Sequence, residues 1–173
     1  MSSRYCPNEF PQGKGPGLYA VFLKKHSTLP DFEVDDEPRL LYIGKSESSI
    51  EARNHCSYAS SSPSILRRSL GAILKHKLKL SAISRGFKKN GGPKDFQNFR
   101  FDEKGEARLS KWMLRNLEFS YLRLEKNIKE IRESEHQWIK RCNPPLNIQI
   151  SKHEMRMKLA DLRKICRDEA SKW

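Results

Sequence analysis

The chain has 173 residues, 36% hydrophobic and 32% charged, with 34 Lys and Arg against 21 Asp and Glu for a net charge of +13. That length and apolar content suit one folded domain rather than a disordered tail, and the surplus of positive charge points to a polyanion, whose condensed counterions are released as Lys and Arg neutralise its phosphates. No apolar run approaches the roughly 18 residues that span a bilayer, and Cys6, Cys56, Cys142 and Cys166 form no C-x-x-C pair, so neither a membrane span nor a zinc finger has support.

In chain order, residues 1–16 are rich in Gly and Pro, lack the apolar core of a signal peptide, and read as an irregular lead-in. GLYAVFL (residues 17–23) is a short apolar run bounded by turn residues, as a buried strand would be. LLYIGK (residues 40–45) is a second such run. The polar stretch between them, acidic around Asp35, Asp36 and Glu37, reads as a loop or extended hairpin tip, and so short a connection favours antiparallel pairing. Ser48-Ser49-Ile50-Glu51 has capping-box spacing and predicts a helix that carries Arg53 in its first turns. Ser62-Pro63 looks like an N-cap followed by the first helical residue, with Leu66, Leu70, Ile73 and Leu74 at helical spacing behind it. Residues 81–98 read as a basic loop, with Lys88 and Lys89 as candidate nucleic-acid contacts. Phe99 to Asp102 suggests a short strand.

Glu106 to Asn116 predicts a helix with Leu109, Trp112 and Met113 on one side. Glu118 to Leu124 alternates like a third strand. Lys126 to Arg141 predicts another helix, stopped by Asn143-Pro144-Pro145. Lys152 to Trp173 places Met155, Leu159, Leu162 and Cys166 on one face of a basic amphipathic helix, suited to docking on the domain or touching phosphates. The expected organisation is therefore a lead-in (1–16), a main folded domain (17–150) and a basic amphipathic C-terminal helix (151–173).

One residue breaks the apolar pattern. At 100° per residue, Glu135 falls within the stripe Ile128, Ile131, Trp138 and Ile139, whereas Glu130 and Glu133 fall on the other side. A carboxylate on a core-facing stripe must be paired, protonated or bound to a metal. An arginine-paired structural glutamate or a position at the stripe's edge is the alternative to a metal ligand, and core packing is the plainer reading of Tyr19 and Tyr42, since tyrosine favours strands.

Taken together, Gly17-Leu18-Tyr19, Tyr42-Ile43-Gly44, Lys45, Arg53, Glu135 and Pro144-Pro145-Leu146-Asn147 resemble, in order, the landmarks of the GIY-YIG nuclease superfamily. The stretch from Tyr19 to Tyr42 is longer than is usual in that family. His55 lies only two residues after Arg53, where the family places its histidine about one helical turn on. The resemblance implies an α+β fold, a small three-stranded antiparallel sheet flanked by helices, with extra helices here. It implies catalytic roles for Tyr19, Tyr42, Lys45, Arg53, Glu135 and Asn147, with His55 as the candidate histidine. It also implies Mg²⁺ or Mn²⁺ held by Glu135. Tyr19 would act on the attacking water, with Lys45 or Tyr42 lowering its proton affinity, and Arg53 would stabilise charge on the phosphoryl oxygens.

Arg67 and Arg68, early in their helix, are candidates for further phosphate contacts, or else part of a solvated helix face. The expected activity is metal-dependent endonucleolytic hydrolysis of nucleic acid, DNA before RNA, by a cytoplasmic stand-alone restriction, defence or repair nuclease. A separate reading domain, as in homing enzymes, is not recognisable. The rival reading is a non-catalytic nucleic-acid-binding module on the same fold.

Overall fold

In the computed structural model the described residues are 4–6, 15–48, 55–56, 60–86 and 95–173. Strand β1 (Gly17–Leu23) lies between β2 (Leu40–Ser46) and β5 (Leu117–Arg123), antiparallel to both. This is the expected three-stranded sheet. Its register sets Tyr19 opposite Gly44 on one side and opposite Tyr121 on the other. As the central strand, β1 is covered on both faces, so its sequence is a continuous apolar run rather than an alternating one. Tyr5, within the predicted lead-in, bridges to Phe119 on the outer side of β5.

The connection between β1 and β2 carries the acidic residues, yet it is more than a solvated tip. Leu29 and Phe32 in it are buried and join the core. Helix α1 (Ile65–Ile73) starts later than Ser62-Pro63 suggests, because the side chain that accepts the Arg67 amide is that of Ser64, the N-cap. The predicted helix through Arg53 falls outside the described residues. Within the predicted loop 81–98, β3 (Ala82–Ile83) pairs with β4 (Arg100–Phe101). A two-residue strand is too short for period-two alternation to show.

Helix α2 (Glu103–Asn116) is capped by Asp102, which accepts from the Gly105 amide, and buries Leu109, Trp112 and Met113. Helix α3 (Ile128–Cys142) opens with a capping box between Asn127 and Glu130 and closes on Asn143 in the left-handed conformation, immediately before Pro144. Its buried stripe is narrower than periodicity suggests. Ile131 and Ile139 are buried, but Ile128 is 50% and Trp138 43% exposed, and Trp138 lies under the Arg141 guanidinium instead. Helix α4 (Arg156–Ala170) packs on α1 and β3, and its Leu159, Cys166 and Ala170 lie in the same core as Phe101, Leu66 and Phe119. Fully burying a large apolar side chain contributes about 1.5–3 kcal/mol, so α4 is held to the domain by the same term that holds the sheet.

Candidate active site

Tyr19 projects from the middle of β1 toward β2, and the residue opposite it decides whether it fits. A Cβ at Gly44 would strike the Tyr19 ring and hydroxyl and crowd the Tyr42 ring. Glycine at this position therefore lets the two tyrosines approach, with ring centroids 6.1 Å apart. The Tyr19 hydroxyl lies 2.6 Å from His55 Nε2, and His55 Nδ1 lies 2.9 Å from Ser64 Oγ. Ser64 thus caps α1 through its contact with the Arg67 amide and also fixes one edge of the His55 ring. His55 and Tyr19 are both buried, at 4% exposure each.

Helix α3 brings Glu135 to the same region. Lys45 Nζ, on β2, donates to Glu135 Oε2 at 2.6 Å, and the two side chains remain 26% and 16% exposed. The carboxylate on the apolar stripe is therefore paired, with a lysine rather than an arginine. The Tyr19 hydroxyl is met by His55, whereas Lys45 reaches the glutamate.

Asn147 organises the outer edge of β2. Its Oδ1 accepts from the Ile43 amide at 2.9 Å and its Nδ2 donates to the Ile43 carbonyl at 2.8 Å. The Leu146 amide adds a bond to the Leu41 carbonyl at 3.0 Å. An edge strand leaves backbone groups unpaired, and this segment satisfies them while locking β2 in place. Tyr19, Tyr42, Lys45, His55, Glu135 and Asn147 all line one cavity of about 610 Å³.

The two adjacent arginines of α1 part company. Arg67 is fully buried and pairs with Glu106 at 2.7 Å. It also donates to the His55 carbonyl at 2.8 Å and to Ser110 Oγ at 3.0 Å. The expected phosphate contact from Arg67 is thus corrected: its donors are committed inside the protein, where they brace the backbone of His55. Arg68 is buried too, not on a solvated face, but it lines the cavity. Its Nη1 donates to the Ser62 carbonyl. Burial pushes its guanidinium down to about 10, and the neighbouring Arg163 adds to the shift.

The sequence reading missed Ser64, Arg163 and Arg167. Ser64 was hidden beside Ser62, which has the same capping chemistry. Arg163 and Arg167 lay within a helix read only as basic overall, although their spacing of one helical turn was a usable signal. Arg53, Lys88 and Lys89 lie outside the described residues.

The donor set bears on which cation the cavity could take. Among the described residues there is no group of three or more His, Cys, Asp or Glu side chains that would enclose a metal. Glu47 also lines the cavity but pairs with Arg132 at 2.9 Å. Two carboxylates, Glu135 and Glu47, each with a basic partner, line the cavity; so sparse a donor set fits a hard cation that keeps most of its waters, and does not fit a closed structural zinc site.

The family model of the GIY-YIG catalytic domain matches residues 17–165. The chain belongs to the GIY-YIG catalytic domain family. It is therefore a member of a nuclease family, and the GIY-YIG match runs from the first residue of β1 well into α4. Searches of curated proteins and of solved structures found no match. Among the described residues, no helix is long and apolar enough to cross a membrane.

Proposed function

We propose that this protein is a divalent-metal-dependent endonuclease that hydrolyses phosphodiester bonds, in DNA rather than RNA. The observation that carries the reading is the 2.6 Å contact between the Tyr19 hydroxyl and His55, in one cavity with the Lys45–Glu135 pair. A tyrosine with pKa near 10 is a poor base at neutral pH unless its own proton has somewhere to go. With the His55 proton on Nδ1, that N–H donates to Ser64 Oγ and Nε2 is left to accept. Tyr19 then takes a proton from the attacking water while its hydroxyl proton passes to His55. The water oxygen forms the new bond to phosphorus as the bond to the 3′ oxygen breaks, and that leaving oxygen takes a proton from solvent water in the open cavity.

Glu135 is the residue suited to hold the cation, Mg²⁺ or Mn²⁺, with waters completing its shell. When bound, such an ion stabilises charge on the phosphoryl and leaving oxygens. Lys45 orients the Glu135 carboxylate, Tyr42 packs beside Tyr19, and Asn147 keeps β2 in register with β1. Arg53 and Arg68 supply guanidinium groups for the phosphate, and Lys88 and Lys89 supply further backbone contacts. Cys6, Cys56, Cys142 and Cys166, none of them in a disulfide, suit a reducing cytoplasm, and restriction, defence or repair is the role proposed.

The test is digestion of single- and double-stranded DNA and RNA with Mg²⁺ and, separately, with EDTA. We expect internal cleavage of DNA that EDTA abolishes. Tight binding with no cleavage of any substrate would instead establish a non-catalytic module.

A further inference from the structure

Helix α4 contributes to the cavity as well as to the core. Arg163 and Arg167, one helical turn apart, line the same cavity as Tyr42 and Glu135, and Arg68 joins them from α1, the helix packed beside α4. Three guanidinium groups thus converge on one wall. Among the described residues none of the three forms an ion pair, and the Nε atoms of both Arg68 and Arg163 are buried with no hydrogen-bond partner. Leaving a charged donor buried and unpaired costs more than an ordinary hydrogen bond returns. Arg67, one residue away, shows what a satisfied arginine looks like in this fold.

The nearby carboxylates do not balance the cluster. Asp95 acts on Arg68 but also faces Arg85, 3.9 Å away. Glu169, on α4 itself, pairs with Lys75 at 2.5 Å, and Asp161 and Asp168 are exposed. Arg167 disfavours the charge on Arg163, and Arg163 disfavours the charge on Arg68. A packed set of like charges with unmet donors suits an anionic ligand, and the planar guanidinium is the cation whose donors best fit phosphate oxygens.

We propose that Arg68, Arg163 and Arg167 form a phosphate-binding subsite that grips the substrate backbone beside the cleavage centre, with α4 as part of the substrate-binding surface. This rests on the nuclease reading above. It assigns α4 a task that packing of Leu159 and Cys166 does not require.

The experiment uses the full chain with EDTA present, so that binding is read without cleavage. Affinity for a short DNA duplex is measured across a salt series for wild type, for Arg163→Gln/Arg167→Gln, and for Lys158→Gln/Lys164→Gln. The lysine pair removes the same charge from exposed positions of α4 that do not line the cavity. We expect the arginine pair to weaken binding about tenfold and flatten the logarithmic salt slope by about one, and the lysine pair to do much less. In parallel, inorganic phosphate should raise the melting temperature of wild type but not of the arginine pair. If the double variant does not fold, single Arg167→Gln carries the test, with about a threefold loss expected from part of the same electrostatic contact. Equal binding by the arginine and lysine pairs, in a wild type that binds and cleaves DNA, overturns the subsite and leaves the nuclease reading standing. A wild type that neither binds nor cleaves any nucleic acid removes both.

Discussion

Two ion pairs of almost the same length have opposite surroundings. Arg67 and Glu106 meet at 2.7 Å with side-chain exposures of 0% and 6%, whereas Lys45 and Glu135 meet at 2.6 Å with exposures of 26% and 16%. In the sealed pair every Glu106 oxygen is spoken for. Oε1 accepts from the Ser61 and Phe101 amides and Oε2 from Ser61 Oγ and Arg67. That network ties α1, α2 and β4 together. In the open pair, Lys45 holds one Glu135 oxygen at the wall of a cavity that also contains Tyr19 and His55. Separation alone does not tell a structural pair from one available to chemistry. The remaining partners of each atom, and the access of solvent, do.

The comparison breaks most visibly at Glu106. Glu106→Gln would leave Arg67 as an uncompensated buried charge, and loss of about 3–5 kcal/mol of folding stability is expected, read as an earlier urea midpoint. A variant with an unchanged midpoint would place the strength of α1–α2 packing elsewhere. Next comes Tyr19→Phe, which keeps the ring among its neighbours and removes the hydroxyl shared with His55. Cleavage should fall by about a hundredfold or more, the range of a lost general base, while circular dichroism stays like wild type. Near-normal cleavage would make Tyr19 a packing residue. The smallest effect belongs to Glu133→Gln on an exposed part of α3. Its stability and cleavage should both stay within experimental error, and a large loss of cleavage there would mean that any charge change on α3 perturbs the site.

How much of this was legible in the chain depends on the range of the interaction. The strands bearing Tyr19 and Tyr42 are marked by local apolar runs, and the end of α3 by Asn143-Pro144-Pro145, because those signals are complete within a few residues. Glu135 stood out because a charge interrupted a periodic stripe. Lys45 is marked by the family resemblance, but its pairing with Glu135 is not, since the two are 90 positions apart and meet only through the packing of α3 on β2. Arg67 and Arg68 show the limit most clearly. Two identical neighbours on one helix read alike, as phosphate contacts or as a solvated face, yet a rotation of 100° puts one against Glu106 and the other against the cavity. The convergence of Arg163 and Arg167 on Arg68 likewise depends on where α4 docks. The exposure of Ile128 and Trp138 went unseen because periodicity finds an apolar face without measuring how wide a neighbour covers it.

The most direct test of the central claim pairs two readings on one variant, Glu135→Gln. Nicking of a supercoiled plasmid in Mg²⁺, with EDTA as the control, is measured under single-turnover conditions beside thermal melting of the same protein. Because both side chains of the pair keep contact with solvent at the cavity wall, 16% exposed for Glu135 and 26% for Lys45, loss of the pair should change stability by no more than about 1 kcal/mol. Nicking should fall at least about a hundredfold, close to 3 kcal/mol of barrier. Wild-type nicking by this variant would contradict the assignment of Glu135 to the chemistry. Melting as early as Glu106→Gln would contradict it equally, by placing Lys45–Glu135 among the pairs that hold the fold.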